Sequence, residues 1–374
     1  MNNIYRVLSQ EKDIEIVILA LTKAQEFLKE KKVEYMTLEK YNKIIGERDY
    51  INLGKKIVKK LGENFLDEES ILYYFYGTID LIKEFGENKV IEGYKKYGRR
   101  IFLPLSFIEK VIEYEKPQLV LTTNAPRTEK AALMVANNKG IPTISIEDLL
   151  GVFNEKNKEI EIFFNSKLYE ETFGKNICVL SEITKNNLEK RTKANIYITG
   201  NPNFDTIFQE YQNIKKVKID RTLCYLSQST NENLQIFEVL LKSLKSKIIN
   251  NLIVKIHPNE AKEKYYKLNK KYNDIAKFEE NLYNAILKSD VILTEYSTAG
   301  IEAILLGKHV ISKKNNIVDF RELGEKLVFQ DILTIPEIIE YFFREEIYKE
   351  ENNYFKTVKK ASEYVVNIII RILK

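Results

Sequence analysis

The sequence predicts an α/β protein with two parallel-sheet domains, and three observations support this prediction. Short runs rich in β-branched residues alternate with helical segments through most of the chain, which is the pattern of parallel strands joined by crossover helices. The alternation stops at a polar stretch, residues 210–222, and then begins again. The chain has 374 residues, and a domain commonly has about 100–200.

The first half should contain parallel strands and one large helical region. Residues 53–115 have helical spacing and many Tyr and Phe side chains. The helix that begins after Pro126 should end at Gly140, because glycine often occupies the left-handed position after a helix. The strands predicted here are DIEIVILAL (13–21), VEYMTL (33–38), PQLVLTTN (117–124), IPTISIED (141–148), NICVLSE (176–182) and NIYITG (195–200).

The second half repeats the strand–helix alternation. Its predicted strands are LCYLSQS (223–229), NLIVKIHP (251–258), AKFEE (276–280), VILTEYS (291–297) and HVISKK (309–314). We expect an N-terminal domain over 1–212 and a C-terminal domain over 213–352. Residues 353–374 should form a helix that could pack back on the first domain.

Composition excludes several classes of protein. The chain is 44% hydrophobic and 30% charged, as in globular proteins. Lys and Arg number 59 against 54 Asp and Glu, and no large basic block is present, so we expect no nucleic-acid partner. Two cysteines and two histidines predict neither a disulfide framework nor a structural zinc site. We expect no metal and no cofactor.

The sequence also bears on location. No charged-then-apolar signal peptide opens the chain, and no apolar run reaches the length of a bilayer span. We expect a cytoplasmic protein. The final helical run, YVVNIIIRILK, is apolar enough to touch the inner face of a membrane, but a helix with one apolar face more often packs on a core.

Ligands of parallel sheets bind at the carboxyl ends of strands, so polar residues at those ends are candidates. The segment VILTEYS ends at Ser297, and Thr298 follows it, so both residues should lie at the start of a helix. Free backbone N–H groups there favour binding of an anion. Gly300 would allow close approach of a ligand, and Glu302 could reach the sugar of a nucleotide. The alternative is that Ser297 or Thr298 only caps the helix.

Two other strand ends of the second domain carry candidates. Proline disfavours helix at the residue before it, so His257-Pro258 should place His257 at the end of its strand, where it could donate to a phosphate oxygen. A capping or core role for this histidine is the alternative. Ser227 and Ser229 end the first strand of the domain, the usual place for a nucleotide contact. Neither a G-x-G-x-x-G fingerprint nor a P-loop is present.

In the first domain, Glu147 and Asp148 end a strand and could supply a general base. Acidic residues at a helix start, which the helix dipole favours, are the alternative interpretation. Neighbouring strand ends place further polar residues on the same side of the sheet, where they could line a cleft. These residues are Thr123, Asn124, Arg127 and Asn201.

These segments in this order (KPQLVLTTN, IPTISIEDLLG, ITGNPNFD, KIHPNE and LTEYSTAGIEAILLGKHVI) resemble the GT-B superfamily, from about Pro117 to Ile311. The resemblance implies two facing Rossmann-like domains with the active site between them. It also implies a nucleotide-activated sugar as substrate, a glycan or glycolipid acceptor, and catalysis that requires no metal. The first domain (1–212) would then lie on the acceptor side, with Thr123, Asn124, Arg127 and Asn201, and the second (213–352) on the nucleotide-donor side.

Two branches of the superfamily share features with this chain. Bacterial sialyl- and polysialyltransferases and CDP-glycerol glycerophosphotransferases use CMP- or CDP-activated donors. The sialyltransferase type has an acidic pair before a glycine, a His-Pro pair and a hydroxyl pair. Here these would be Glu147-Asp148, His257-Pro258 and Ser297-Thr298, although two leucines displace Gly151 from the acids. In that family the first acid is the base, and the histidine and hydroxyls hold the donor phosphate.

The other branch is the hydrolysing UDP-N-acetylglucosamine 2-epimerases, which TGNPNFD and TEYSTAGIEA resemble. Glu147 would then fall on a glutamate of that family's catalytic region. The chain has SQSTNEN where that family has a His-Arg-Arg-Glu run, so we rank this interpretation second. The favoured hypothesis is a glycosyltransferase of surface-polysaccharide or lipooligosaccharide synthesis.

Overall fold

The computed structural model describes residues 2–21, 23–46, 49–64, 67–123, 126–147, 151, 155–211, 220–314, 320, 327–347 and 360–374. Backbone contacts divide the chain into two compact units. Unit 1 comprises Met1–Asp205 and Val358–Lys374, and unit 2 comprises Thr206–Thr357. Most of the polar stretch at 210–222 lies outside the described residues.

Unit 1 combines a parallel sheet with a large helical region. In chain order its elements are α1 (Asn2–Leu8), α2 (Lys23–Glu30), α3 (Leu38–Ile45), α4 (Tyr50–Lys60), α5 (Glu68–Phe85), α6 (Glu87–Tyr97), α7 (Leu105–Glu115), β1 (Val120–Thr122), α8 (Arg127–Asn138), β2 (Thr143–Glu147), α9 (Glu155–Phe164), β3 (Asn176–Val179), α10 (Glu182–Glu189) and β4 (Asn195–Ile198). The expected end of α8 is confirmed, since Gly140 follows its last turn with φ of 72°.

Unit 2 begins within a helix that crosses the boundary between the units. Its elements are α11 (Phe204–Tyr211), β5 (Thr222–Leu226), α12 (Asn233–Lys245), β6 (Asn251–Lys255), α13 (Lys262–Lys271), β7 (Lys277–Phe278), α14 (Leu282–Leu287), β8 (Val291–Thr294), α15 (Ala299–Leu305), β9 (His309–Lys313), β10 (Val328–Phe329) and α16 (Ile335–Arg344). The chain then returns to unit 1 with α17 (Ala361–Leu373). Strand β10 was not predicted.

The sheet of unit 1 is parallel, in the order β1-β2-β3-β4. Thr122 is paired with Ser145, and Glu147 with Val179, so the ends of neighbouring strands lie side by side. Helices α3 to α7 form an aromatic core beside the sheet, in which the rings of Tyr76 and Phe107 stack at 4.1 Å between centroids. This core accounts for the Tyr- and Phe-rich region of the sequence.

The first two predicted strands are wrong. Residues 13–21 and 33–38 meet only at an isolated parallel bridge between Leu19 and Met36, with Ala20 N donating to Met36 O at 2.9 Å. Their apolar side chains are instead divided among three clusters. Ala20 and Val33 pack in a small cluster of their own, whereas others join the cluster of helix α17 or the aromatic core. β-Branched composition favours an extended chain, but a strand also needs a neighbour that pairs along its length.

Helix α17 uses its apolar face within unit 1. Val365, Val366 and Ile369 pack in one cluster with Ile144 and Ile146 of strand β2, and helix α1 lies against α17. The apolar run at the end of the sequence is therefore a core-packing face, as the favoured interpretation expected. No helix in the described part of the chain is long and apolar enough to cross a membrane.

The sheet of unit 2 is also parallel, in the order β10-β9-β8-β5-β6-β7. After β5 the chain proceeds to one side through β6 and β7, and then to the other side through β8, β9 and β10. Strand order therefore reverses at β5, which makes the carboxyl ends of β5 and its neighbours the topological switch point. Every residue of β5 is buried, including Cys224, which is a free thiol.

Candidate functional site

The carboxyl edge of unit 2 brings together three of the predicted strand ends. Strand β5 pairs with β6 on one side and with β8 on the other. Ser227, His257 and Ser297 follow these three strands and so leave the sheet at the same edge. Neighbouring strands are about 4.8 Å apart, so the ends of β6 and β8 are separated by roughly 10 Å. That span suits a phosphate group with part of its nucleoside.

His257 is half-buried and has a defined tautomer. Its Nδ1 accepts a hydrogen bond from the backbone N–H of Asn259 at 3.1 Å, so the neutral ring carries its proton on Nε2. The turn is closed by Glu260 N, which donates to His257 O at 3.0 Å. In its neutral form, the ring of His257 therefore has an N–H donor at Nε2.

The side chain of Glu260 joins four elements of this edge. Its Oε2 accepts hydrogen bonds from Ser227 Oγ at 2.5 Å and from His257 N at 3.2 Å. Its Oε1 accepts from Tyr265 OH at 2.7 Å and from Asn233 Nδ2. These donors come from the end of β5, the end of β6, and helices α12 and α13. Sequence reasoning gave Glu260 no role.

The hydroxyl of Ser227 makes its hydrogen bonds within the protein. Ser227 is 3% exposed, and its Oγ donates to Glu260 while it accepts from His257 N at 3.1 Å. Ser229 and Pro258, both predicted to bind the donor, are exposed. Ser227 therefore belongs to the framework of the edge, whereas Ser229 and Pro258 lie at its surface.

The loop after β5 is hydrogen-bonded to the loop after β8. Gln228 Oε1 accepts from Tyr296 N at 2.6 Å, and Thr230 Oγ1 donates to Glu295 Oε1 at 2.9 Å. Glu295 is 1% exposed; burial raises its pKa, and the hydrogen bond from Thr230 opposes that rise. These bonds hold the two loops on either side of the switch point in a fixed relation.

The hydroxyl pair lies at the start of α15. Ser297 Oγ accepts from Ala299 N at 3.3 Å, which supports the helix-start interpretation, whereas exposed Thr298 occupies the N-cap without a side-chain capping bond. Among the described residues, no acceptor takes a hydrogen bond from the backbone N–H of Ser297 or of Thr298. These N–H groups could donate to a ligand.

The structure gives Gly300 a packing role. A Cβ at this position would lie 2.5 Å from Cζ of Phe320 and 2.6 Å from its Cε1, so the phenyl ring occupies the space that a side chain would need. Glu302, in the same helix, is half-buried. Burial raises the pKa of Glu302, and a hydrogen bond with Tyr283 opposes the rise.

Unit 1 has its own row of polar residues at the carboxyl edge of its sheet. Glu147, half-buried, is the last residue of β2. Thr123, after β1, donates through its N–H and its hydroxyl to Glu129 Oε1 at 3.2 and 2.6 Å. Asn201, after β4, accepts from Asn203 N through Oδ1 at 3.0 Å. The predicted residues Asp148 and Asn124 lie outside the described part of the chain.

Arg127 connects this edge to the helical region. It begins α8 with a left-handed φ of 51°, and the charge of its guanidinium acts on the Tyr73 hydroxyl of α5. Burial raises the pKa of Tyr73, and the positive charges of Arg127 and Arg99 oppose this rise. Gly151, also left-handed with φ of 67°, accepts a hydrogen bond through its carbonyl from Arg191.

The structure also identifies residues that sequence reasoning missed. Glu260 stands three residues after a strand-end histidine, the spacing at which a glutamate can reach back to a backbone N–H, as in a capping box. That spacing could have indicated it. Asn233 and Glu295 carried no such signal. In the described part of the chain, no group of three or more His, Cys, Asp or Glu side chains could hold a metal ion.

Two parallel-sheet Rossmann-like units give this protein the GT-B fold. Solved structures share it. S. aureus MnaA, solved with UDP, is 18% identical with a TM-score of 0.62, over 100% of this chain and 93% of that one. A putative UDP-N-acetylglucosamine 2-epimerase from Listeria monocytogenes is 17% identical with a TM-score of 0.61, over 99% and 92%.

A glycosyltransferase of kitacinnamycin is 13% identical with a TM-score of 0.56, over 100% of this chain and 95% of that one. At these identities the likeness shows the fold alone. No protein-family model matches the sequence, and no curated protein matches it.

Proposed function

We propose that this protein is a glycosyltransferase that moves a sugar from a nucleotide-activated donor to a hydroxyl of a glycan or glycolipid acceptor. The observation that carries the proposal is the position of His257 at the switch point of unit 2, where its Nδ1 accepts from Asn259 N and leaves the proton of the neutral ring on Nε2. Ligands of open parallel sheets bind at that point, and a neutral N–H donor suits a phosphate oxygen.

The donor phosphate would be held by preorganised N–H groups. Nε2–H of His257 and the backbone N–H groups of Ser297 and Thr298 would donate to its oxygens, and Glu302 would accept from a ribose hydroxyl. Donors fixed before the reaction stabilise the negative charge that grows on a leaving phosphate. This arrangement supplies the electrostatic stabilisation without a metal ion.

The acceptor would be activated by Glu147 in unit 1. Its carboxylate would take the proton of the acceptor hydroxyl while the oxygen forms a bond to the anomeric carbon of the donor sugar. The bond from that carbon to the phosphate oxygen breaks, and the nucleotide leaves with the electron pair. Thr123, Arg127 and Asn201 would line the acceptor side, and Asp148 is an alternative base.

A thermal-shift panel of CMP, CDP, UDP and GDP tests the proposal and identifies the nucleotide. The resemblance of the motifs favours a cytidine nucleotide, whereas the structural neighbour solved with UDP favours uridine. Bound nucleotide should raise the unfolding temperature of the wild-type chain, and His257→Ala should abolish most of that shift. Stabilisation by none of the four would refute the proposal.

The second candidate is a hydrolysing sugar-nucleotide 2-epimerase. It is favoured by nearly full-length similarity to the epimerase from Listeria monocytogenes. Incubation with UDP-N-acetylglucosamine alone discriminates the two reactions. The epimerase should release UDP and a new free sugar without an acceptor, whereas the transferase should consume its donor only when an acceptor is added.

A further inference from the structure

We propose that Glu260 is a positioning residue that holds His257 with its Nε2–H directed toward the ligand. This inference deepens the proposed function and rests on it for the identity of the ligand. The geometry behind it is the single carboxylate that joins Ser227, Asn233, the backbone of His257 and Tyr265.

The bonding pattern uses both oxygens of Glu260 as hydrogen-bond acceptors. Each oxygen of Glu260 accepts two hydrogen bonds from described residues, and one donor on each oxygen is an N–H group that cannot accept: His257 N on Oε2, and Asn233 Nδ2 on Oε1. Leu234 N donates to Asn233 Oδ1 at 2.6 Å, which fixes the orientation of that amide. A glutamine here would point its own N–H at an N–H group in either orientation.

The bond to His257 N constrains the imidazole through the turn. Glu260 and Ser227 together anchor that N–H, and two residues later the N–H of Asn259 donates to Nδ1 of the same histidine. The backbone of the turn therefore fixes both the position of the ring and its tautomer. If the anchor is lost, Asn259 N–H no longer has a fixed approach to Nδ1, and both neutral tautomers become accessible.

The network also keeps Ser227 and Tyr265 away from the ligand. Their hydroxyl protons are directed to Glu260, and burial raises the pKa of Tyr265, so the phenol stays a neutral donor. A negative carboxylate near an anion site would repel the anion if it were exposed. Here four donors surround the carboxyl group of Glu260, so its oxygens are taken up by the framework of the edge.

Selective ¹⁵N labelling of histidine tests the inference without any ligand, because the chain has only two histidines. In the wild-type protein, long-range ¹H–¹⁵N spectra should show the Nε2–H tautomer for His257, assigned by the loss of its signals in His257→Ala. Glu260→Gln should shift His257 toward mixed tautomers and leave His309 unchanged. It should also weaken nucleotide binding at least about tenfold, since it unpairs a buried N–H.

Glu263→Gln is the matched control, because it makes the same change on an exposed residue three positions later. It should leave both the His257 spectrum and nucleotide affinity as in the wild type. If Glu260→Gln does not fold, as judged by circular dichroism, Ser227→Ala and Tyr265→Phe each remove one donor from the carboxylate. Each should give a smaller shift of His257 and a loss of affinity of about two- to fivefold.

The outcomes separate the inference from the proposed function. The positioning role would be overturned if Glu260→Gln left both the His257 spectrum and the nucleotide affinity unchanged, even if the wild-type protein binds nucleotide. The same holds if neither Ser227→Ala nor Tyr265→Phe changed them. If the tautomer of His257 depends on Glu260 but no nucleotide binds the wild-type protein, the positioning role stands and the proposed function fails.

Discussion

The carboxyl edges of the two sheets are built in different ways. In unit 2, one carboxylate, that of Glu260, collects donors from four elements, and the loops after β5 and β8 are bonded to each other. In the described residues of unit 1, the side chains of Thr123 and Asn201 bond within their own loops, to Glu129 and Asn203. The long-range bonds near this edge, from Asn3 to the carbonyl of Pro202 and from Arg191 to the carbonyl of Gly151, go to the backbone instead. We therefore expect the side chains of the first edge to be preorganised for binding and those of the second to vary from loop to loop.

This contrast assigns different work to the two edges. A site that stabilises charge on a leaving phosphate needs donors that do not reorganise during the reaction, and the edge of unit 2 has them. An acceptor site needs a base and a surface that fits the acceptor, and loops carry such variation best. Substitutions at the two edges should therefore affect different steps, phosphate binding in unit 2 and acceptor activation in unit 1.

The largest effect is expected at Glu147. If it is the base, Glu147→Gln should lower the transfer rate by about 10²–10⁴-fold, the usual contribution of general base catalysis. Nucleotide affinity, measured by calorimetry, should be unchanged if the nucleotide binds unit 2, as proposed. Glu182→Gln, at the exposed start of α10, is the control. A loss of nucleotide binding in Glu147→Gln would contradict the division between the edges.

The two histidines of unit 2 sharpen the comparison further. His257→Ala should weaken nucleotide binding by about 10–100-fold, which corresponds to the loss of one strong hydrogen bond, with little change in unfolding temperature. His309, 9% exposed and 5.8 Å from the Phe342 ring, should behave in the opposite way: His309→Ala should cost about 1–3 kcal/mol of stability and spare binding. If His257→Ala and His309→Ala weakened nucleotide binding equally, His257 would not be a binding residue.

Gly300 tests whether a residue at this edge serves packing or ligand approach. Gly300→Ala should lower the free energy of unfolding by about 1–3 kcal/mol, because the new methyl group collides with Phe320. Phe320→Leu in the same chain should restore part of this loss in a double-mutant cycle by chemical denaturation. If the losses in free energy of unfolding from Gly300→Ala and Phe320→Leu simply added, the Phe320 ring would not be the reason for a glycine at position 300.

The smallest effect concerns the pH dependence of stability. Burial raises the pKa of Glu302 in the folded protein, so the protonated side chain contributes stability that is complete below the unfolded pKa and is lost as pH rises through the folded pKa. Glu302→Gln should therefore be more stable than the wild type at neutral pH, by roughly 0.5–1 kcal/mol. The difference should shrink as the solution is acidified, and urea titrations at several pH values would measure it.

Much of the architecture could be predicted because it depends on local periodicity. Eight of the predicted strands contain observed ones, a ninth overlaps β5, which begins one residue earlier, and the helix before Gly140 ends as expected. The failures at 13–21 and 33–38 have one physical cause: a residue's neighbours in sequence do not reveal whether its strand will find a partner. The predicted strand ends are real, but their hydrogen bonds were not predictable.

The sequence by itself determined the alternation of strands and helices, the two parallel sheets, and the placement of Glu147, His257 and Ser297 at strand ends. These depend on side chains a few residues apart, which interact whatever the rest of the chain does. Only the tertiary structure decided which hydrogen-bond donors are bonded within the protein and which could bind a ligand. Ser227 and Glu260 are 33 residues apart, and their bond exists only because β5 and β6 pair in one register.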